Sequence, residues 1–306
     1  MNYVIGQVKL LACFLLTIII IYTLSFSVAV PALSPTMDVN VLGTSEVGDY
    51  QLENFISYQT PEKPYDKNLL AAGYGIINLT EQRIILKNHS DIPLPIASLT
   101  KLMTAWVTLK YGSLQDSYTI KATDIESTKP SLNLTVGDQV LVQDLINAML
   151  IGSNNDSAKA LAGYVEEKTN FKFTDLMNQE ATKLGMKNSR YSNPIGFDSN
   201  TNYSSVEDIS LLVKALIPTN VFEATSRRTA YSFTSISGKS YNTTATNKLI
   251  EKYPDLSAIK TGFTNTALGS MVNLLKYNDQ TYLLIVIGSP DREADTLELR
   301  NLVINP

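Results

Sequence analysis

The chain predicts an α+β, mixed α/β fold in which an antiparallel sheet is flanked by helices and carries an all-helical insertion lobe. Three observations point there. Two short apolar segments, Leu69–Asn78 and Arg83–Lys87, bracket the polar turn Leu79-Thr80-Glu81-Gln82. A long block of helix-period segments then runs from Leu99 to Leu216. The last part returns to extended segments and closes on one helix. Strands, a helical block, then strands again is the order that one antiparallel sheet with a helical insertion produces. The folded domain is placed at 67–306, with the inserted lobe at about 99–255.

Each element follows from its residues. LLAAGYGIIN and RIILK are rich in apolar and β-branched side chains and are separated by turn residues, so two paired strands are expected. Pro93 and Pro95 break that pattern, because proline lacks the backbone donor a strand needs. Leu99–Tyr111 reads as a buried helix through its run Leu102-Met103-Thr104-Ala105-Trp106-Val107. Thr123-Asp124-Ile125 and Thr135-Val136-Gly137-Asp138 are turn or cap signals.

Leu141–Leu150 aligns Leu141, Leu145, Ile146 and Met149 on one helical face. Asp156–Lys168 does the same with Ala158, Leu161, Ala162 and Val165, with Asp156 expected to cap it. Phe171–Leu184 is a further helix, stopped by Gly185. Ser204–Leu216 opens on a Ser-Ser-Val-Glu capping box and stops before Pro218. Thr229–Thr246, rich in Ser and Thr with Tyr and Phe, is expected to be extended. Ser270–Lys276 and Thr281–Gly288 bracket Tyr277-Asn278-Asp279-Gln280 as a hairpin, and Asp291–Val303 is a final helix.

Composition narrows the function. The 306 residues are 44% hydrophobic and 18% charged, which is ordinary for a globular chain with a sizeable core. The net charge of -4 and the lack of a Lys/Arg cluster give nucleic-acid binding no support. One cysteine, Cys13, excludes an intramolecular disulfide. The single histidine, His89, lies in the polar turn-like stretch Lys87-Asn88-His89-Ser90-Asp91 and is expected at the surface. Hydrolytic chemistry here is therefore expected to run without histidine and without a His-rich zinc site. Neither a metal nor an organic cofactor is implied.

Residues 1–31 read as an N-terminal transmembrane anchor or signal segment. Leu10–Val30 is uncharged and long enough to span a bilayer. Lys9 precedes it, whereas Asp38 and Glu46 follow, which favours a cytoplasmic amino terminus and an exported body. An uncleaved anchor is preferred because a cleaved signal has a shorter apolar region, although small residues near Ala29 and Ala32 leave cleavage open. Residues 32–66, rich in Pro, Ser, Thr and acids, are expected to link this segment to the domain.

Three short motifs carry the chemistry. Ser98-Leu99-Thr100-Lys101 places a hydroxyl and an amine three residues apart at the head of a helix, so they share one face. An amine whose pKa is lowered can take the proton of a hydroxyl nucleophile. Taken alone, the pattern far more often marks a helix-capping serine with a surface lysine. Ser153-Asn154-Asn155 offers a hydroxyl and a carboxamide in a connector between two helices, where capping is the common use. Lys260-Thr261-Gly262, before a strand pattern, offers a cation, a hydroxyl and a position where a substrate backbone can approach closely.

Taken together and in this order, Ser-x-x-Lys, Ser-x-Asn and Lys-Thr-Gly resemble the penicillin-binding proteins and serine β-lactamases. IASLTKLMTAWV, IGSNNDSAKALA, LGMKNSRYSNPIGFDSNTNYSSVEDISLLVKAL, IKTGFTNTALGS and SPDREADTLEL narrow the resemblance to the low-molecular-weight D-alanyl-D-alanine carboxypeptidases over about Leu69 to Val303. The resemblance implies a β-lactamase/transpeptidase-like fold with the active site between the lobes. It implies Ser98 as the acylated nucleophile, Lys101 as its base and Ser153 as the proton relay to the leaving group. It implies that Asn155 orients the substrate amide, that Lys260 and Thr261 hold its terminal carboxylate, and that the N–H groups of Ser98 and Phe263 bind the oxyanion. The expected partners are a peptidoglycan stem peptide ending in D-Ala-D-Ala, β-lactam antibiotics, and a membrane through the N-terminal segment. The expected location is the extracytoplasmic face of a bacterial cell membrane.

Lys101 acts as a base only if burial and a second cation, expected to be Lys260, lower its pKa. Two departures from the family pattern bear on preference. Asn202-Tyr203-Ser204-Ser205 stands where many relatives carry His-Tyr-Ser-Thr, and a shift in local packing is expected. Asn154 replaces a frequent glycine and is expected to narrow the cleft or touch substrate.

Three other readings compete. A class A-like β-lactamase needs a deacylating glutamate, and Glu166, at the end of a predicted helix, reads instead as a solvated helix face. A D,D-endopeptidase on peptidoglycan cross-links is slightly favoured by the end at Pro306, without the further β-rich domain and amphipathic anchor of many carboxypeptidases. An inactive penicillin-binding sensor module is disfavoured by the intact Ser98, Lys101, Ser153, Asn155 and Lys260.

Overall fold

The computed structural model describes residues 69–305. The apolar Leu10–Val30 segment and the 32–66 linker lie outside the described residues. Among the described residues no helix is long and apolar enough to cross a membrane.

The two N-terminal strands form as expected, as β1 (Gly73–Asn78) and β2 (Arg83–Asn88). The two-residue strand β3 (Leu94–Pro95) leads into a 3-10 turn at Ala97–Leu99 and then α1 (Thr100–Tyr111). Next come β4 (Ser117–Thr119), β5 (Gln139–Leu141), α2 (Val142–Gly152), α3 (Asn155–Thr169) and α4 (Phe173–Lys183). They are followed by β6 (Tyr203–Ser204), α5 (Val206–Leu216), β7 (Ala230–Thr234), β8 (Ser240–Thr244) and the short α6 (Leu249–Lys252). The chain closes with β9 (Leu256–Thr264), β10 (Leu268–Tyr277), β11 (Gln280–Ser289) and α7 (Arg292–Ile304).

The five long strands make one antiparallel sheet in the order β2-β1-β11-β10-β9. β9 is an edge strand, and it lies against the turn that leads into α1. β11 shows why the Tyr282–Ile287 run is apolar throughout. Leu283, Ile285 and Ile287 face the large core shared with the helices of the insertion, whereas Leu284 and Val286 face a smaller core under α7. A strand buried on both faces has no polar side to show. Asn278 and Asp279, with φ of 50° and 59°, make the tight turn between β10 and β11 that their sequence predicts.

Two expectations are corrected. The inserted lobe is not all helical, because β4 and β5 pair in one two-stranded ribbon and β7 and β8 in another. The ribbon β7–β8 stays short and stacks Phe233 on Tyr241 with centroids 5.4 Å apart. The cap of α5 is Ser205, whose hydroxyl accepts from Asp208 N at 3.2 Å, one position later than the predicted box. Glu207 is thereby free to accept from Ser90 Oγ at 2.8 Å and to pair with Lys87 at 3.0 Å.

Candidate active site

Ser98 lies in the 3-10 turn, where the chain makes an unusual bend. Ala97 has φ +46°, a left-handed conformation that costs a residue with a Cβ. Its carbonyl is held from two sides. Thr100 Oγ1 donates to it at 2.8 Å. Gly196, itself at φ +91°, packs so closely that a Cβ there would stand 2.0 Å from the same oxygen. Ser98 caps no helix. The N-cap of α1 is Leu99, which makes no side-chain capping bond.

Lys101 follows on the first turn of α1 and is fully buried. Its Nζ lies 2.9 Å from Ser98 Oγ, 2.8 Å from Asn155 Oδ1 and 2.6 Å from the Ile195 carbonyl. Burial is the first cause that lowers its pKa, to about 7, and the nearby Asp156 carboxylate opposes the shift. The amide of Asn155 is oriented by Nδ2, which donates to Thr128 O at 2.9 Å, so Oδ1 must face the lysine. A neutral amine has two N–H bonds and one lone pair. Asn155 Oδ1 and Ile195 O can only accept, so they take both N–H bonds, and the lone pair is left for the hydroxyl of Ser98.

Ser153 and Lys260 form a second pair facing the first. Ser153 ends α2 in a left-handed conformation at φ +60° and ψ +26°, within the two-residue connection to α3. Lys260, on β9 and 2% exposed, donates to Ser153 Oγ at 2.7 Å and to Thr261 O at 2.8 Å. Its pKa is held well below the usual lysine range, first by burial and then by repulsion from Lys101 and Arg292. Lys260 was expected to supply the cation that depresses Lys101. Burial is the first cause for both amines, and the repulsion between Lys101 and Lys260 is mutual, so it disfavours protonating both at once.

The remainder of the Lys-Thr-Gly stretch lies inside β9 rather than before it. Thr261 is buried, and its hydroxyl stands 2.5 Å from that of Thr246. Gly262 was expected to admit a substrate backbone. Its close neighbour is the turn bearing Ser98, since a Cβ there would lie 3.0 Å from both Ile96 O and Ser98 N. The Gly262 carbonyl accepts from Arg292 Nη1 at 2.8 Å, which ties this edge strand to the head of α7. The Phe263 side chain points outward and is 62% exposed.

Both departures from the motif pattern are buried. Asn202 is buried, donates to Thr100 Oγ1 at 2.9 Å and accepts from Ser192 N at 3.2 Å. It thus supports the bond from Thr100 to the Ala97 carbonyl. Asn154, expected to narrow the cleft or touch substrate, is shielded. It is 2% exposed, and its Oδ1 is shielded and without a hydrogen-bond partner among the described residues. That oxygen lies beside Gly152, where a Cβ would come within 2.8 Å of it and within 1.8 Å of Thr243 Oγ1.

Glu166 is on the exposed end of α3, where its carboxylate accepts from Phe173 N at 2.8 Å, and His89 is exposed. Several parts of the site had no sequence signal of their own. They are the carbonyls of Ile195 and Thr128, the hydroxyl of Thr246, and Asn193, whose Oδ1 collects the N–H groups of Ile195, Gly196 and Phe197 at 3.2, 2.7 and 3.1 Å.

The chain has relatives among known proteins in both sequence and fold. The chain is similar to D-alanyl-D-alanine carboxypeptidase DacF of Bacillus subtilis (strain 168), at 25% identity over 68% of this chain and 54% of that one. It is similar to D-alanyl-D-alanine carboxypeptidase DacC of Escherichia coli (strain K12), at 30% identity over 77% and 60%. The chain therefore spans less than two thirds of the length of either relative. A D-alanyl-D-alanine endopeptidase of Pseudomonas aeruginosa matches at 28% identity over 80% of this chain and 82% of its own. Among solved structures, the Streptomyces K15 DD-transpeptidase superposes with a TM-score of 0.71 at 22% identity, covering 79% of this chain and 98% of that one, which shows the shared fold. Residues 58–291 match the peptidase S11 family, described as D-alanyl-D-alanine carboxypeptidase, and the chain belongs to that family.

Proposed function

We propose that this protein is a serine D,D-carboxypeptidase that removes the terminal D-Ala from peptidoglycan stem peptides through a Ser98 acyl-enzyme. The observation that carries this reading is the 2.9 Å approach of a buried Lys101 amine, with a pKa of about 7, to Ser98 Oγ. An amine with that pKa is substantially neutral at physiological pH, which is the state a general base needs.

In this reading Ser98 Oγ attacks the carbonyl carbon of the penultimate D-Ala and passes its proton to Lys101. The oxyanion is held by the N–H groups of Ser98 and Phe263. Ser153 delivers a proton to the departing amine, the C–N bond breaks and D-Ala leaves. Water then hydrolyses the ester, and Ser98 regains its proton. Asn155 orients the substrate amide. Lys260 and Thr261 receive the terminal carboxylate, and that anion favours the protonated form of Lys260 against the effect of burial. A β-lactam acylates the same hydroxyl, and its ring-opened acyl group stays in the site. The uncharged Leu10–Val30 segment supports anchoring at the extracytoplasmic face of a bacterial membrane, with the domain reaching the wall through the 32–66 linker.

The match to an endopeptidase over most of its length favours a second reading, cleavage of D-Ala–diamino acid cross-links. The test uses the chain purified in detergent micelles with a fluorescent penicillin, a pentapeptide ending in D-Ala-D-Ala, and cross-linked dimer muropeptides. Covalent label that is lost in Ser98→Ala, together with release of D-Ala, is expected. Equal label on wild type and Ser98→Ala overturns the proposal. Label without D-Ala release points to a sensor, rapid penicillin turnover to a β-lactamase, and preferential cutting of dimers to the endopeptidase.

A further inference from the structure

One buried acid beside the site has no role in the chemistry above. Asp156 follows Asn155 at the head of α3 and is completely buried. It was expected to cap that helix, but the N-cap is Asn154, and the Asp156 carboxylate turns away toward the 131–134 segment. Oδ1 accepts from Leu132 N at 3.0 Å and Ser157 N at 2.9 Å. Oδ2 accepts from Ser131 Oγ at 2.7 Å and Leu134 N at 3.1 Å. Four donors and, among the described residues, no acceptor around one carboxyl group suit the ionised form, which can only accept.

The segment it grips runs directly on from the residues that orient Asn155. Thr128 O accepts from Asn155 Nδ2 at 2.9 Å, and Pro130 O accepts from Asn155 N at 2.8 Å. Asp156 and Asn155 are adjacent on α3, so the two residues clamp one loop at successive points. Releasing the carboxylate frees that loop, and with it the carbonyl that decides which end of the Asn155 amide faces Lys101. The charged groups around Lys101 are Asp156 on α3 and Lys260 on β9, with Arg292 on α7 beside Lys260. The loop bearing Ile195 presents its carbonyl, and its Asp198 is exposed and bonded to Thr264.

We propose that Asp156 is a positioning residue for acylation: by anchoring the 128–134 loop it fixes the Asn155 carboxamide so that the lone pair of Lys101 faces Ser98. The inference rests on the reading of Ser98 as nucleophile. Its charge has a second effect, because an anion near Lys101 favours the protonated amine. Removing the charge therefore lowers the pH at which the amine becomes a base, while losing the anchor lowers the rate reached above that pH.

The test is the limiting rate of acylation of the full chain in micelles by a fluorescent penicillin, followed from about pH 5 to 10 to cover both sides of the lysine titration. Wild type, Asp156→Asn and Ser131→Ala are compared. Asp156→Asn is expected to lose at least about tenfold in the plateau rate, as a misoriented catalytic group does, and to shift the midpoint of the acid limb to lower pH. Ser131→Ala keeps the charge and removes one anchor, so a loss of about two- to fivefold with an unmoved midpoint is expected. Asp156→Asn with the wild-type plateau, or with a lowered plateau and an unmoved midpoint, overturns the inference. If Asp156→Asn fails to fold by circular dichroism, Ser131→Ala decides, and a wild-type plateau in it overturns the inference. Absence of label on the wild type overturns the nucleophile reading together with this one, whereas defects confined to the variants leave that reading intact.

Discussion

Lys101 Nζ stands 2.8 Å from Asn155 Oδ1, and the far end of that amide is tied to the Thr128 carbonyl. With the Ile195 carbonyl at 2.6 Å taking the other N–H, the lysine is left one direction for its lone pair. Replacing Asn155 by Ala removes this constraint. The penicillin acylation rate of Asn155→Ala is expected to fall by about 10- to 1,000-fold, in the range of a lost positioning contact, with Lys101 still buried. Stopped-flow labelling measures it.

The same amine sets the pH dependence. Acylation is expected to rise through about pH 7 as Lys101 loses its proton and to stay high above it. Stability follows with a definite sign. In the folded state Lys101 titrates at about pH 7 and in the unfolded state near its ordinary 10.5, so the unfolded chain binds more protons between these values. Stability contributed by this group is complete above the unfolded value and is lost as pH falls through the folded one. Lys260, also shifted down, acts in the same direction. Urea unfolding at several pH values is expected to show this slope, and Lys101→Met is expected to flatten it.

Gly196 cannot be replaced without moving the turn that bears Ser98. An Ala there meets both the positive φ of +91° and the Ala97 carbonyl at 2.0 Å. Gly196→Ala is expected to cost about 2–4 kcal/mol, more than the strain of a left-handed residue alone. Denaturant midpoints measure the cost, and penicillin labelling of the folded fraction is expected to drop with it.

Phe263 separates a backbone role from a side-chain role. Its ring is 62% exposed, so Phe263→Ala is expected to leave stability within about 0.5 kcal/mol and acylation within about threefold. Phe263→Pro deletes the N–H and is expected to reduce acylation by about 100-fold or more, the scale of a lost oxyanion donor. Similar rates in the two variants would exclude the N–H from the oxyanion site.

Glu180 is a structural contrast. Its buried carboxylate accepts from Trp106 Nε1 at 3.0 Å, Tyr111 Oη at 2.8 Å and Lys183 Nζ at 2.7 Å, joining α1 to α4. Glu180→Ala strands these donors and is expected to destabilise the fold by about 3 kcal/mol. Labelling of Ser98 per folded molecule is expected to remain near wild type, which thermal melts and labelling together check.

What was legible in the sequence was local. The helix of Thr100–Tyr111, the hairpin at Asn278-Asp279 and the final helix from Arg292 follow from periodicity and turn chemistry, which depend on near neighbours. The Ser98–Lys101 pair was legible for the same reason, since three residues along a helical turn bring side chains together whatever surrounds them. The ribbon strands β4 and β5 were missed because three residues are too few to show a period.

The sequence by itself determined which groups this protein has for chemistry: a serine and a lysine one turn apart, a second serine with an asparagine, and a lysine beside a threonine and a glycine. Only the tertiary structure decided what state those groups are in. The Lys101 pKa is lowered to about 7 because the fold takes its amine out of water, and burial is a property of the packed chain. Its lone pair faces Ser98 because Ile195 and Asn155, distant in sequence, occupy its other two directions. Gly262 is needed against the turn bearing Ser98, a contact between the edge strand β9 and the turn ahead of α1 that joins segments far apart in sequence and exists only in the folded chain.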